Sequence, residues 1–509
     1  METILYKPIN NYNNPVLWMA YPACESFALA SLGYLWLTKI ADEYEKINVI
    51  KVFTDTQVVQ SMPNTIAFSM SFDFDFMGVL EILDKYKIPF ESKNRDENQP
   101  LIFAGGPVIT TNPEPYKNIF DFFIIGDGEV VFEKVLYVLS QNKTKNETLK
   151  YLSEIDGVYV PIKSKIVKKI SETLNNVIYT PIISDKSYFK DTFIIEVSRG
   201  CMNRCAFCTA SYLNLPYRYY EYDKIIKAIE IGLKHTNKIA LLGAQISAHP
   251  NFLDIMKYLS NKIDSGYNLE LGISSLRTDS ITPELIQILV KGGQKTSTIA
   301  IEAASERLRK YINKNLKEEQ ILNAVKICRE NGLKGLKIYS MIGIPTESEE
   351  DIEDFIRLAK LLKAENKGFE ITFSFSSFVP KPQTPLQWEE RTDSKILEKR
   401  QKFLEKELSK LGIGSKFSSI KWDYWQTILS RGDSSLSQFL IEVYKKGGKI
   451  GAYKASAKEL NIDLSKYIKA FNLEEVLPWD FIENCVAKQL LVNEKKRLDK
   501  YSDTTFFQR

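Results

Sequence analysis

Histidine is nearly absent: in 509 residues only His235 and His249 occur. Multi-imidazole zinc and di-iron centres cannot be built from this chain. A Ser-His-Asp triad would have to recruit one of the two, and neither stands in a context resembling a known triad signature. A dominant charge is missing as well. The 68 Lys and Arg against 64 Asp and Glu leave +4, which leaves nucleic acid open as a partner without requiring it. With 44% apolar and 26% charged residues, 24 Gly and 19 Pro, the composition is globular and excludes collagen-like or disordered chains. No internal repeat or low-complexity linker is visible. No unbroken apolar run reaches membrane length: VLWMAYPACESFALASLGYLWL (16–37) is interrupted by Pro22 and Glu25. It reads as a strand over 16–21, a turn, and a helix from Ser26 to Ile40 capped by Ser26. Residues 1–14 lack an apolar signal core, so no membrane partner is expected and the protein reads as cytoplasmic.

What is present is an ordered alternation. Candidate strands at 16–21, 47–54, 66–71, 101–106 and 122–127, interleaved with helical periodicity, predict a doubly wound α/β domain over 1–185. Two of these strands run into glycine turns, Ala104-Gly105-Gly106-Pro107 and Gly126-Asp127-Gly128-Glu129. Both fall at the carboxyl edge, where open α/β sheets bind ligands; each reads equally as a tight turn into a helix. The alternation restarts with strands near 193–197, 239–242, 269–274, 298–302, 334–342 and 369–378 and six intervening helices. That pattern predicts a partial parallel (β/α)6 barrel over 186–385, with functional residues at the carboxyl ends of its strands. Residues 386–509 read as a mostly helical extension.

The cysteines sharpen this. Cys24, Cys328 and Cys485 are scattered, whereas Cys201, Cys205 and Cys208 follow the strand FIIEV as Cys-x3-Cys-x2-Cys. That is cofactor spacing, not a disulfide framework. Three thiolates without a local fourth ligand suit an iron-sulfur cube with one open iron better than a closed zinc site.

At these residues the chain resembles the radical S-adenosylmethionine (SAM) superfamily, whose cysteine loop after the first barrel strand holds a 4Fe-4S cluster. Phe207 matches the aromatic between the last two cysteines. The resemblance implies that SAM chelates the open iron and is cleaved to methionine and a 5'-deoxyadenosyl radical, with an electron donor such as flavodoxin or ferredoxin. Residue by residue it implies that Gly243-Ala244-Gln245 meets the SAM amino group. Gln245 departs from the family's acid there and offers only an amide oxygen. Ser274 and Ser275 match the ribose position, Glu302 a polar SAM contact, and Gly343 and Pro345 the GxP turn beside adenine.

The resemblance extends to a branch with a cobalamin-binding-like N-terminal domain, through FAGGPVITTNPEPYKNIFDFFIIGDGE (103–129), IEAASERLRKYINK, FVPKPQTPLQW, SRGD (430–433) and LPWD (477–480). Such domains usually supply a corrin-ligating histidine, and residues 1–234 have none. Either cobalamin binds without a protein imidazole or the domain holds no corrin. By analogy the C-terminal region covers the barrel mouth. The function implied is C–H functionalisation, with methylation foremost. A methylthiotransferase-like enzyme, which would need a second cysteine triad, and a non-enzymatic corrin or nucleotide sensor are the alternatives.

Overall fold

The computed structural model describes residues 2–9, 11, 13–164 and 166–502. Val16–Tyr21 (β1), Asn48–Phe53 (β2), Thr65–Ser69 (β3), Leu101–Gly105 (β4) and Phe122–Ile124 (β5) pair in parallel, and the antiparallel Val158–Tyr159 (β6) borders them. The order is β2-β1-β3-β4-β5-β6, so connections diverge to either side between β1 and β3, opening a crevice at their carboxyl ends. These strands read as continuous apolar runs because both faces are covered. On one face lie the helices Leu32–Asp42 and Gly128–Leu139, through Tyr34, Leu35, Val135 and Leu136.

The other face is covered by the helix Phe76–Lys85, through Phe76, Val79 and Leu83, and by segments from the far end of the chain. Trp388, Trp425, Phe439 and Trp479 share one apolar cluster with Trp18, Phe68 and Ile102. The C-terminal helices from Ile420–Arg431 onward thus pack mainly on the N-terminal sheet, whereas Ser394–Lys410 packs on the barrel core through Leu397, Leu404 and Leu408 and Leu498 reaches the cysteine loop. Each large aromatic buried this way is worth about 1.5–3 kcal/mol or more, which is why the extension stays against the sheet.

The second unit is built from Thr192–Glu196 (β7), Lys238–Leu242 (β8), Glu270–Ile273 (β9), Thr296–Glu302 (β10), Gly335–Ile342 (β11) and Glu370–Ser377 (β12), all parallel. Six strands fall where periodicity predicts them. A seventh, Gly414–Phe417 (β13), joins β12 in parallel, so the sheet continues into the region read from sequence as an extension. The strands fall into β7-β8-β9 and β10-β11-β12-β13, linked by a bridge between Leu276 and Ile299. One face carries Ile299, Ile301, Leu336, Ile338, Ile371 and Phe373 into a core with the crossover helices. Those helices begin on ordinary signals: Thr282 accepts from Leu285 N with Pro283 following, and Ser348 forms a capping box with Asp351. The opposite face is polar, because register aligns Thr298, Lys337 and Thr372, then Ala300, Tyr339 and Ser374.

The helix expected from Ser26 to Ile40 is broken. Glu25–Ala28 ends in i−3 bonds from Ala30 and Ser31, and a new helix starts at Leu32. The Ser26 carbonyl is taken by Tyr188 N at 2.9 Å, so it cannot carry the helix onward, and Ser26 caps neither piece.

A buried polar joint holds the parts together. Asp73, following β3, accepts from Lys381 Nζ at 2.8 Å, Ser430 Oγ at 2.7 Å and Gln426 Nε2 at 2.9 Å. Asn112 Nδ2 donates to the carbonyls of Ser430 and Gly432, and Gln383 Nε2 to those of Thr110 and Thr111. Trp479 Nε1 donates to Gln387. The segments PKPQTP, SRGD and LPWD therefore have a structural role: they seat the C-terminal helices on the N-terminal sheet.

Candidate functional site

After β7 the chain makes a two-residue antiparallel pairing, Ser198–Arg199 with Arg218–Tyr219, and enters the cysteine loop. Gly200 has φ +87°, and a Cβ there would lie 2.2 Å from Asn214 O, so only glycine makes this entry. The loop is pinned from both sides. Ala206 N donates to Ile312 O, Leu386 N to Ala206 O, and Tyr212 Oη and Asn313 Nδ2 both donate to Arg204 O. Phe207 packs against a small apolar cluster containing Ala206, Ala303, Leu308 and Met341, which anchors the loop from below.

Cys201 and Cys208 are half-buried and Cys205 is buried. Burial pushes the Cys205 thiol up to about 12; Lys314 opposes this, and Cys208, Glu302 and Cys201 add to it. All three cysteines, Glu302 and Lys314 thus share one electrostatic neighbourhood. Cys201 Sγ lies 3.2 Å from Gln245 Oε1 and 3.6 Å from Asn203 Nδ2. Among the described residues no three His, Cys, Asp or Glu side chains converge on one point as a lone ion would require.

The other sequence-predicted residues sit at the carboxyl ends of the neighbouring strands, where parallel barrels carry their chemistry. Gly243-Ala244-Gln245 follows β8; a Cβ on Gly243 would lie 2.7 Å from Ser198 Oγ, so glycine is needed for that turn to approach the cysteine strand. Ser274, following β9, donates to Gly243 O at 3.3 Å, while Ser275 and Ala244 are exposed. Glu302 ends β10 at φ +66°, a conformation a non-glycine residue rarely adopts. Its Oε1 is 3.0 Å from Lys314 Nζ, and both side chains are largely buried. Gly343 and Pro345 follow β11. Gly343 N donates to Glu347 Oε2 at 2.6 Å and its carbonyl accepts from Thr392. Burial pushes the Glu347 carboxyl up to about 8 against the pull of Arg400, 2.7 Å away.

Lys314 was not legible as a site residue, although it closes the run IEAASERLRKYINK; nothing in the spacing says that its ammonium folds back toward Cys205. His249, a few residues beyond Gln245, uses both ring nitrogens. Nδ1 accepts from Asn251 N, so Nε2 bears the proton and donates to Tyr220 O at 2.8 Å. It is a structural histidine.

A second recess of about 410 Å³ opens at the carboxyl ends of β3, β4 and β5, between the N-terminal sheet and the cysteine strand. Leu32, Gly33, Trp36, Phe68 and Phe103 supply apolar wall, and the Gly126-Asp127-Gly128-Glu129 turn forms one rim. That turn is an ionic anchor. Arg199 Nη1 lies 2.5 Å from Glu129 and 3.1 Å from Asp127, Arg199 also meets Glu196 at 2.7 Å, and Arg218 joins Asp127 at 3.1 Å. Burial opposes the charge on Asp127, yet Arg199, the Glu172 N–H and Arg218 hold its carboxyl below the ordinary range.

Two family models match this chain: "Radical SAM proteins, N-terminal" over residues 26–161 and "Radical SAM superfamily" over 195–359. An uncharacterised protein of Methanocaldococcus jannaschii is 32% identical over 82% of this chain and 89% of its own length. An uncharacterised methyltransferase of Pyrococcus horikoshii is 26% identical over 70% of this chain and 77% of its own. Among solved structures, the cobalamin-dependent SAM radical enzyme OxsB, with aqua-cobalamin and SAM bound, shares the fold at a TM-score of 0.55. It covers 96% of this chain and 79% of its own at 12% identity. The chain belongs to the radical SAM superfamily, and it is an enzyme of that class with the N-terminal domain found in one branch of it. Among the described residues no helix is long and apolar enough to cross a membrane.

Proposed function

We propose that Cys201, Cys205 and Cys208 ligate a 4Fe-4S cluster and that the surrounding strand ends position SAM for reductive cleavage. The observation that carries this reading is the pinned three-thiol loop at the carboxyl edge of five consecutive parallel strands, with the Lys314 ammonium beside its buried member. The donor set fits the group. A cubane presents each thiolate to a different iron, so sulfurs spread along one loop serve it better than sulfurs converging on a point. Asn203 can donate to Cys201, and Lys314 offsets thiolate charge that burial disfavours. When bound, the cluster supplies the electron that splits the SAM sulfonium. The chain does the rest. Gln245 offers its amide oxygen to the SAM amino group, Gly243 and Ala244 hold that turn close to the cysteine strand, Ser274 and Ser275 face the ribose, and Glu302, Gly343 and Pro345 flank the nucleoside. The polar face of the barrel, with Lys337 and Tyr339, receives the substrate whose C–H bond is attacked. A reduced cluster and free thiols suit a reducing compartment, and we place the enzyme in the cytoplasm.

Lys314→Met tests the electrostatic part. It strands the Glu302 carboxylate in a buried site, so 5'-deoxyadenosine formation falls at least about tenfold, or 1.4 kcal/mol, while Lys314→Arg retains most activity. Wild-type rates in the methionine variant would contradict the role.

The recess between sheet and cysteine strand is where we place cobalamin, held without a protein imidazole. What supports this is its position at the crevice where the connections diverge and its largely apolar wall. Methylation is the outcome such a pair of cofactors serves, and the Pyrococcus relative is described as a methyltransferase. A Cβ on Gly33 meets nothing within 4 Å, so Gly33→Leu extends into the recess without strain and improves helix propensity. We expect it to weaken aquacobalamin binding at least about tenfold, about 1.4 kcal/mol, with no loss of thermal stability. Unchanged binding in an absorbance titration would remove cobalamin from this recess. A methylthiotransferase-like reading lacks its second triad: Cys328 is buried in the barrel core, far in sequence from the half-buried Cys24 and the exposed Cys485.

A further inference from the structure

The barrel face turned away from its helices carries two lysines that pair with no acid among the described residues. Register sets Thr298, Lys337 and Thr372 in one row across β10, β11 and β12, and Ala300, Tyr339, Ser374 and Lys416 in the next, which reaches β13. Lys337 is half-buried on an inner strand, and its ammonium lies 4.9 Å from the Tyr339 ring centroid. That contact fixes its direction. Tyr339 is nearer the carboxyl edge, so the ammonium points toward the cysteine loop and away from Glu370, which pairs with Gly335 at the opposite end of the strands. Lys416 is exposed on the edge strand β13. A lysine on an edge strand discourages further strand pairing, but that explanation does not reach a half-buried lysine on an inner strand, whose unmatched charge costs stability. The other acids around this face are engaged: Lys314 holds Glu302, Arg199 holds Glu196, and Lys238 lies 3.9 Å from Glu270. Opposite, β7, β8 and β9 present the uncharged Ile194, Ala240 and Gly272 in one row.

We propose that the substrate carries a phosphate group, held by the Lys337 and Lys416 ammoniums with the Thr372 and Ser374 hydroxyls of the strand between them, while its uncharged part lies toward β7–β9. The inference rests on the reading of this polar face as the one that receives the substrate. Strands β11 and β13 are two strand spacings apart, about 10 Å, a span that two lysine side chains can close around one anion. The donor types select phosphate over carboxylate. A planar carboxylate is best met by an arginine fork, and β10 to β13 contain no arginine; point-charge lysines and hydroxyls suit a tetrahedral dianion.

The test uses the full chain with pyrophosphate as the probe, binding being read by titration calorimetry at low salt. The wild type should bind it, and Lys337→Met/Lys416→Met should bind at least about tenfold more weakly without loss of thermal stability. Lys416→Met alone, at an exposed position, should weaken binding severalfold. Lys454→Met, exposed on the helix Ile450–Glu459, should bind as the wild type does. Absence of wild-type binding, or unchanged affinity in both Lys416 variants, would overturn the proposal, as would tighter wild-type binding of succinate than of pyrophosphate. Competition sorts the source of the phosphate: displacement of the probe by a sugar monophosphate marks a small ester, and displacement by a single-stranded oligonucleotide alone marks a nucleic-acid backbone, either of which upholds the phosphate. If pyrophosphate binds through these lysines in a chain that assembles no cluster, the phosphate site stands and the radical reading falls. If SAM is cleaved and pyrophosphate does not bind, the radical reading stands and the phosphate site falls.

Discussion

Cys205→Ala abolishes cluster assembly and, with it, SAM cleavage, to below the detection limit of a 5'-deoxyadenosine assay. Each thiolate of the triad meets a different iron, so removing one leaves two ligands for a cube that needs three from this loop. Cys205 is the most telling position because it is the buried one. A thiol that burial holds protonated is poorly suited to solvent-exposed redox or nucleophilic work, so its place in the loop is explained by a ligand that enforces deprotonation. The cost of burying that charge is met by the metal and by Lys314. Cys24→Ser and Cys485→Ser, outside the triad, should retain full iron and sulfide content and full cleavage. If Cys205→Ala assembles a cluster and cleaves SAM as the wild type does, the ligand assignment fails.

Lys381→Met should destabilise the fold by about 3 kcal/mol, the lower end of the cost of removing one partner of a buried ion pair, since the Lys381 side chain keeps 24% of its surface in solvent. Asp73 is buried and its carboxylate relies on Lys381, Ser430 and Gln426. Burial works against its charge, but Lys381 and the hydrogen bonds from Lys381, Gln426 and Ser430 outweigh it, leaving the carboxyl below its ordinary value of 3.8. Because the folded value is depressed, the joint's contribution is fully present above the unfolded carboxylate range. It is lost as pH falls through the lower, folded value. A denaturant titration should therefore show the difference between wild type and Lys381→Met at neutral pH and see it shrink in strong acid. The double variant Asp73→Asn/Lys381→Met removes the stranded charge and should recover part of the loss. A Lys381→Met protein as stable as wild type at neutral pH would refute the joint.

Much of this architecture could be read before the structure. The strands of the N-terminal sheet and the six barrel strands announce themselves as apolar runs because parallel strands are buried on both faces, and the cysteine spacing lies within one loop. What was hidden has physical reasons. Gly414–Phe417 shows no alternation of apolar residues, since it is an edge strand with no fully buried position. The break after Ala28 carries neither Pro nor Gly and is imposed by a bond from Tyr188, far along the chain. Asp73 meets partners 308 and 357 positions away, a distance no local pattern spans. The same holds for Arg199 and the Gly126-Asp127-Gly128-Glu129 turn, which sequence reads equally as ligand cradle or tight turn. In the fold it is an ion-paired anchor on the rim of a recess.

The most direct measurement is anaerobic reconstitution with iron and sulfide, reduction with dithionite, and assay for 5'-deoxyadenosine from SAM. The account predicts about four irons per chain in a single 4Fe-4S cluster and product formation that disappears in Cys205→Ala. A chain that assembles no cluster, or cleaves SAM equally well without the Cys201, Cys205 and Cys208 thiols, would contradict it.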